Sequence, residues 1–269
     1  FDVDRTLTGK QGSASGECPG NVEVPEVWDS AYGQGVLTLS ALGAAGLNGT
    51  FCGQCYLGVC SAGTAGGENS AERAFLAERV LVSGPQQELF RVEPGAKAWS
   101  HGDRVRSPFV LGKADRRKQE AVEDIVRWYE ARGIRIAAGS VHFFGDRTEN
   151  IMPFEASGFN SREISCASRD VSIGSGMVGL CGATPEEIVD TRGLQTCGQQ
   201  VAPAPAPSST ACPELDNGPG PNGDGGPLRR CQGDCDRDGD CEGALVCFQR
   251  DGDTEVPGCV GKGAWDWDY

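Results

Sequence analysis

The first residues of the chain, FDVDRTL, place two aspartates and a threonine at a spacing that suits chemistry. Asp2 and Asp4 are two residues apart, so on a strand both carboxylates face the same side and can contact one small ligand. Such a pair can bind a divalent cation, divide the roles of nucleophile and general acid, or cap the turn that begins near Thr6. The carboxyl end of a strand in an open α/β sheet is where reactive groups of this kind lie.

Three more polar residues are predicted to follow strands or to precede a helix. The apolar strand in GQGVLTLS ends at Ser40, and the apolar strand in SVHFFGD ends at Asp146. Lys113 precedes the helix predicted in ADRRKQEAVEDIVRWYEARG, and Lys118, further along the same segment, is an alternative to it. Either lysine can also belong to a solvated helix face, and Ser40 can be a buried hydroxyl bonded to the backbone.

Strands and helices alternate through residues 1–198, which favours a mostly parallel sheet covered on both faces. The clearest element is the helix in ADRRKQEAVEDIVRWYEARG, with Asp115 expected to cap its start and Gly133 its end. One face of this helix is apolar and consists of Val122, Ile125, Val126 and Tyr129. The predicted fold class is therefore α/β.

Taken in order, these features resemble the four motifs of the haloacid dehalogenase superfamily, whose members are mainly phosphoryl-transfer enzymes. The motifs are Asp-x-Asp-x-Thr-Leu, a strand ending in Ser, a Lys before a helix, and an apolar strand ending in an acidic turn. The resemblance covers about residues 1–160 and implies a Rossmann-like three-layer parallel sheet with a cap-type insert at about 41–110. It also implies that Asp2 is the nucleophile that forms an aspartyl-phosphate, while Asp4 protonates the leaving group and then activates water.

The remaining site residues also come from the resemblance. Thr6 completes the first motif, and Ser40 and Lys113 would hold the phosphoryl oxygens of the substrate. Magnesium would reduce the repulsion between the carboxylate and an anionic phosphate ester. Its ligands would be Asp2, the backbone carbonyl of Asp4, and Asp146.

Three positions depart from the pattern of the family. Its members usually have a second acid directly before the aspartate of the last motif or four residues after it, and here Gly145 and Asn150 occupy those positions. Glu149 is one residue out of register, and Arg5 stands where the family commonly has glycine. A metal site that is short of one carboxylate can bind magnesium through additional waters or can have lost it.

Two hypotheses for the function therefore stay open. The first is a secreted, magnesium-dependent phosphatase that acts on a small phosphorylated substrate through an aspartyl-phosphate. The alternative is a catalytically inactive extracellular structural or interaction glycoprotein, built on the same fold, that self-assembles or binds other extracellular proteins as the subunit of an assembly or filament. Retention of the first motif favours catalysis, and the missing acids favour its loss.

The composition limits the compartment and the partners. The 269 residues carry a formal net charge of −14, which disfavours binding to nucleic acid, and they contain no apolar run long enough to span a membrane. Thirteen cysteines indicate a secreted protein or an oxidising lumen, and Asn48 begins an N-glycosylation sequon. Because the sequence begins at Phe1 without a signal peptide, and a central strand normally has about 5 to 6 residues, we expect a processed or incomplete chain.

The cysteines of the first domain are odd in number, so one thiol is free or a bridge leaves the domain. Cys52 and Cys55 have the spacing of a redox pair, but the glycine-rich sequence after them favours structural disulfides over a thioredoxin-like site. Zinc is disfavoured because no second Cys-x-x-Cys is near and the two histidines, His101 and His142, are isolated.

The composition also predicts the domain boundaries. An α/β domain at 1–198 is followed by an Ala-Pro linker at 199–211 and by an acidic cysteine-rich module at 212–269, where six cysteines allow three bridges. Within that module Asp234, Asp236 and Asp238 match the first half of a calcium loop, but the twelfth position is leucine where the loop needs glutamate. A solvated acidic loop is the other interpretation.

Overall fold

The structure of the chain is a computed structural model. It describes residues 1–198 without a gap and, beyond them, residues 215–216, 228, 231–237, 240–241, 247–252, 254, 256, 259, 262–265 and 268–269. Two compact units are present, Phe1–Gln200 and Val201–Tyr269. The predicted linker at 199–211 lies outside the described residues.

The first unit mixes short strands with helices. In chain order its strands and α-helices are β1 (Val22–Asp29), β2 (Gly35–Leu39), α1 (Ala41–Ala45), β3 (Val59–Cys60), α2 (Ala71–Phe75), α3 (Gly84–Val92), β4 (Trp99–His101), β5 (Phe109–Leu111), α4 (Lys118–Glu130), β6 (His142–Gly145), β7 (Asn160–Glu163) and β8 (Leu194–Gln195). Strands β4, β5 and β3 form one parallel sheet, and β6, β7 and β8 form another. The predicted α/β class with parallel sheets is confirmed.

The first two residues of the chain lie between these two sheets and join them. The Phe1 amino group donates to the Gly58 carbonyl at 2.9 Å, and the Cys60 amide donates to the Phe1 carbonyl at 2.9 Å. On the other side, the Asp2 amide donates to the Phe144 carbonyl at 2.9 Å. The order across the sheet is therefore β4, β5, β3, the first residues, β6, β7, β8, and Asp2 lies at its centre.

Two predictions about the segment after Asp4 are wrong. The strand that ends before Ser40 is β2, which pairs antiparallel with β1 in a separate hairpin and so is not a strand of the parallel sheet. The range 41–110 is not a separate insert either, because it supplies β3 and β4 and most of β5 to the sheet. In the first unit, the hairpin of β1 and β2 is instead the element that stands apart from the parallel sheet.

The predicted helix is confirmed over Lys118–Glu130. Its predicted cap at the start is not formed, whereas the glycine predicted to end it has the expected conformation. The N-cap is Arg117, two residues later than the predicted cap, and the Asp115 carboxylate instead accepts a hydrogen bond from the Asn150 amide at 3.0 Å. At the other end, Gly133 adopts a φ of 81°, a left-handed conformation that glycine adopts without steric cost.

Helix α4 packs against the sheet with the apolar face that the sequence predicts. Ile125 and Tyr129 are both buried in the main core. The Tyr129 hydroxyl donates to the Leu57 carbonyl at 2.6 Å and contacts the Gln86 side-chain oxygen at 2.9 Å. These contacts fix the helix next to β3, and so fix the position of Lys118 at its first turn.

Disulfide bonds are present within each of the two units. The pairs are Cys18–Cys181, Cys166–Cys197, Cys231–Cys259 and Cys235–Cys247. The odd count in the first domain is explained by three thiols, Cys52, Cys55 and Cys60. The structural disulfides that the sequence favoured for Cys52 and Cys55 are not formed, and both residues are free thiols.

The second unit has two small apolar clusters built around its disulfides. One contains Leu215, Cys231, Val256 and Tyr269, and the other contains Leu228, Cys235 and Cys247. Asp238, one of the three aspartates of the predicted calcium loop, lies outside the described residues, and the Asp234 carboxylate accepts a hydrogen bond from the Asp268 amide at 3.1 Å. Across the described parts of both units, no helix has the length and apolar character needed to cross a membrane.

Candidate functional site

A cavity of about 280 Å³ lies where β3, the first residues and β6 end. Its lining is unusually rich in acids and consists of Asp2, Asp4, Ala31, Tyr32, Ala62, Gly63, Asp115, Asp146 and Arg147. Because these strands run parallel, their carboxyl ends meet at one edge, which is where α/β sheets bind ligands.

Asp2 is paired with a lysine inside the protein. Its carboxylate accepts a hydrogen bond from the Val3 amide at 2.9 Å, and the Lys118 ammonium lies 3.2 Å from its second oxygen. Lys118 is fully buried and also donates to the Cys60 carbonyl at 3.1 Å. Burial, the largest single influence, would lower the pKa of Lys118, but Asp2, Cys60 and Asp115 together outweigh it and the pKa is raised. The lysine therefore stays charged beside Asp2.

Of the two candidate lysines, Lys118 lies beside Asp2, and neither lysine is among the residues that line the cavity. Lys113 forms an ion pair with Glu120 at 2.6 Å instead. Both lysines are near the start of α4, but only Lys118 is in the first helical turn and points back to the end of β3. These contacts favour Lys118, the alternative that the sequence left open, as the lysine that accompanies Asp2.

Asp4 has an environment that favours its protonated form. Burial, followed by repulsion from Asp2, raises the pKa of Asp4 to about 7. The Ser61 hydroxyl is 3.4 Å from one carboxylate oxygen, and the other oxygen has no hydrogen-bond partner among the described residues. A carboxyl group with a pKa near 7 can both donate and accept a proton at neutral pH.

Asp146 directly follows β6 and is buried. One of its oxygens accepts a hydrogen bond from the Gly179 amide at 3.2 Å, and the other has no partner within the described part of the chain. Burial and the nearby charge of Asp2 raise its pKa well above the ordinary value. Unpartnered carboxylate oxygens at one cavity are the donor set that a hard divalent cation prefers, so these residues fit magnesium.

The serine at the site is Ser61, which sequence reasoning missed. It directly follows β3 and reaches Asp4, whereas the Ser40 hydroxyl donates to the Leu7 carbonyl at 3.0 Å and caps α1 by accepting from the Gly43 amide at 3.0 Å. Ser40 is thus the buried hydroxyl bonded to the backbone. The sequence signal for Ser61 is the short apolar run in LGVCS. Strand β3 has only two residues, so this run is too short to show the period of a strand.

The departures from the family pattern have physical explanations. A Cβ atom on Gly145 would lie 2.8 Å from the Phe143 ring, so an acidic side chain there would collide with the core. Asn150 is buried and uses its amide to hold Asp115 at 3.0 Å, while its oxygen accepts a hydrogen bond from the Arg116 amide at 2.7 Å. Asp115, which lines the cavity, therefore supplies a further carboxylate that the motif positions lack.

The hairpin of β1 and β2 brings an aromatic side chain to the cavity. Tyr32, between the two strands, accepts a hydrogen bond from the Arg147 guanidinium at 3.0 Å. The Arg5 guanidinium lies 4.7 Å from the Tyr32 ring centroid and 3.5 Å from Asp170. Arg5 has a φ of 60°, a conformation that glycine adopts more readily, and its side chain is buried under Tyr32.

Thr6 lies in the turn after Asp4, where its amide donates to the Val3 carbonyl at 3.1 Å and its buried hydroxyl has no partner among the described residues. The structure thus brings together, of the predicted residues, three carboxylates and one of the two lysines, and it adds a serine. These five are Asp2, Asp4, Asp146, Lys118 and Ser61.

No protein-family model, curated protein or solved structure matches this chain.

Proposed function

We propose that the first unit is a phosphohydrolase, similar to the haloacid dehalogenase superfamily, that works through an aspartyl-phosphate on Asp2. The observation that supports this most is the buried ion pair between Asp2 and Lys118 at the centre of the sheet edge, 3.2 Å apart. An ion pair alone is common, but here the next acid along the chain, Asp4, has an unpartnered oxygen and a pKa near 7. That combination suits covalent catalysis with proton transfer.

The first step forms a bond between a carboxylate oxygen of Asp2 and the phosphorus of a phosphate monoester. The bond from phosphorus to the ester oxygen breaks, and protonated Asp4 gives its proton to the departing oxygen. Lys118 offsets the negative charge that gathers at Asp2 and the phosphoryl group, and the Ser61 hydroxyl donates to a phosphoryl oxygen.

In the second step a water molecule attacks the phosphorus of the aspartyl-phosphate. Asp4, now ionised, accepts a proton from the water, and the bond between phosphorus and the Asp2 oxygen breaks. Inorganic phosphate leaves, and both aspartates return to their starting protonation states. Atoms and charge balance over the two steps without an oxidant or reductant.

Magnesium fits the acids at this site. Asp2, Asp146 and the backbone carbonyl of Asp4 would hold it, and Asp115 is the nearest extra carboxylate that lines the cavity. When bound, the ion offsets the negative charge of the phosphate. The protein residues have separate tasks, since Lys118 and Ser61 orient the phosphoryl group and Asp4 moves the proton.

The cavity limits the substrate. About 280 Å³ is space for a phosphoryl group and a small leaving group, and Tyr32 and Arg147 form one side of it. We therefore expect small phosphate monoesters.

The four disulfides are compatible with an oxidising environment, which supports the proposal of a secreted or luminal protein, and Asn48 is exposed in a turn where a glycan can be attached.

The test is hydrolysis of a generic aryl phosphate by the full, disulfide-intact chain with and without magnesium. We expect turnover that requires magnesium and disappears in Asp2→Asn, and that is retained in Asp103→Asn, whose side chain is 92% exposed. Circular dichroism of each variant separates loss of catalysis from loss of fold. Equal rates in the wild type and Asp2→Asn would reject the proposal and favour the alternative of an inactive extracellular interaction protein.

A further inference from the structure

A second acidic cluster lies behind Asp4. Oxygens of Asp4, Asp29 and Glu72 lie within 4.8 Å of one another. The three residues come from different elements, namely the first residues, the end of β1 and the first turn of α2. Asp29 and Glu72 are buried, whereas Asp4 is partly exposed and lines the cavity, which gives the cluster an access path.

Glu72 is the residue that indicates a missing ligand. Its side chain is 0% exposed, and neither carboxylate oxygen has a hydrogen bond of good geometry among the described residues, with the Ser30 backbone as the nearby donor. The Arg73 guanidinium beside it is directed to the Thr64 carbonyl at 2.9 Å and does not pair with it. Burial, then Asp29 and Asp4, raise the pKa of Glu72 to about 8, and the nearby Arg73 charge and Ser30 backbone offset this only in part.

The other two acids also have coordination capacity. Asp29 accepts hydrogen bonds from the Ala31 amide at 2.7 Å and the Gln11 side chain at 2.5 Å, which leaves each of its oxygens a second lone pair. One oxygen of Asp4 has no partner among the residues that the structure describes. Three carboxylates in this arrangement repel one another unless they bind protons or a cation.

We propose that Asp4, Asp29 and Glu72 bind a second divalent cation, and that this cation is calcium. Calcium takes 6–8 oxygen ligands at about 2.3–2.6 Å in a flexible geometry, so three carboxylates whose oxygens lie within 4.8 Å of one another can close around it with small side-chain movements. Magnesium usually binds through one or two carboxylates, keeps several waters and demands near-ideal octahedral geometry, so a site with three protein carboxylates favours calcium. Waters would complete the coordination of calcium on the side of the cavity.

Calcium at this position joins the β1–β2 hairpin and α2 to the first residues of the chain. The evidence for the cluster does not use the proposed phosphohydrolase activity, and because a cation on Asp4 favours its ionised form, calcium bound here would oppose the acid role proposed for Asp4. With three protein carboxylates and several waters, we expect a dissociation constant of about 10⁻⁴–10⁻³ M, as in extracellular calcium modules.

The test is calorimetric titration of calcium into the full chain after treatment with a chelator, repeated with Glu72→Gln and Glu78→Gln. Glu78 is exposed and lies six residues after Glu72, in the helical segment Leu76–Val80, so its variant is the matched control. We expect the wild type and Glu78→Gln to bind one more calcium than Glu72→Gln, whatever number the acidic second unit binds. Asp29→Asn should lose the same site, which guards against a folding defect particular to one variant.

Thermal unfolding gives a second readout on the same proteins. Calcium should raise the melting temperature of the wild type and of Glu78→Gln more than that of Glu72→Gln. Equal calcium stoichiometry and equal thermal shifts in Glu72→Gln and Glu78→Gln would overturn the proposal. Stronger binding of magnesium than of calcium at the Glu72-dependent site would overturn the choice of ion. Calcium binding without phosphatase activity would leave this site in place and reject only the proposed function.

Discussion

Replacing Lys118 with methionine removes the cation that faces Asp2 inside the protein. The Lys118 side chain is 0% exposed and that of Asp2 is 6% exposed, with 3.2 Å between the ammonium and the carboxylate. Removing one member of a buried ion pair leaves the other charge without compensation, which typically costs about 3–5 kcal/mol. We therefore expect Lys118→Met to lower the free energy of unfolding by about 3–5 kcal/mol.

The matched control is Lys113→Met, which changes the other lysine near the start of α4. Lys113 pairs with Glu120, whose side chain is 38% exposed, so water compensates much of the lost interaction and the change should be much smaller. The double variant Asp2→Asn/Lys118→Met removes both charges and should be more stable than Lys118→Met alone.

Urea unfolding followed by tryptophan fluorescence measures these differences. Three of the five tryptophans report on the first unit, and these are Trp28, Trp99 and Trp128. If Lys118→Met and Lys113→Met lose the same small free energy, or if the double variant is no more stable than Lys118→Met, the buried ion pair is not what holds Asp2. The proposal for catalysis would then lose its main support.

Three further predictions concern pH, the site serine and the long disulfide. The pKa of Glu72 is 4.5 in the unfolded chain and about 8 when it is buried, so between these pH values only the folded state binds the proton. The contribution of this proton to the free energy of unfolding is therefore complete below about pH 4.5. It is lost as the pH rises to 8, at a cost of at most about 5 kcal/mol. In thermal unfolding with a chelator present, Glu72→Gln should lose less stability than the wild type as the pH rises. An equal loss in the two proteins would contradict this prediction. Ser61→Ala should lower aryl phosphate turnover by about 10²-fold. Ser40→Ala should instead cost about 1 kcal/mol of stability, because it removes a helix cap. Loss of turnover in Ser40→Ala but not in Ser61→Ala would return the role of phosphoryl-binding serine to Ser40. Replacing Cys18 and Cys181 by serine opens a loop of 163 residues and should cost about 5 kcal/mol, seen as a lower melting temperature; an unchanged value would show that this bridge adds no stability.

Part of the site could be predicted from local sequence. Asp2 and Asp4 are two residues apart, a spacing that would let both carboxylates face one ligand on a strand, and the structure brings both to one cavity although Asp4 lies in a turn. Helix α4 could be predicted because thirteen residues show a clear apolar period. The cysteine content likewise indicated disulfides, since their density is a property of composition.

Other features were decided only by the tertiary structure. Strand β3 has two residues and no readable period, so the choice of Ser61 over Ser40 depended on which backbone groups pair with Phe1. The choice of Lys118 over Lys113 depended on where α4 begins relative to the sheet, which no local pattern specifies.

The cluster of Asp4, Asp29 and Glu72 shows the same division. The sequence determines that each of these residues is an acid, but they are 25 or more positions apart in the chain and nothing local relates them. Folding of the hairpin and of α2 against the first residues brings their oxygens within 4.8 Å. The sequence thus determined the chemistry of individual side chains, and the tertiary structure decided which of them act together, because long-range packing sets distances that no short pattern encodes.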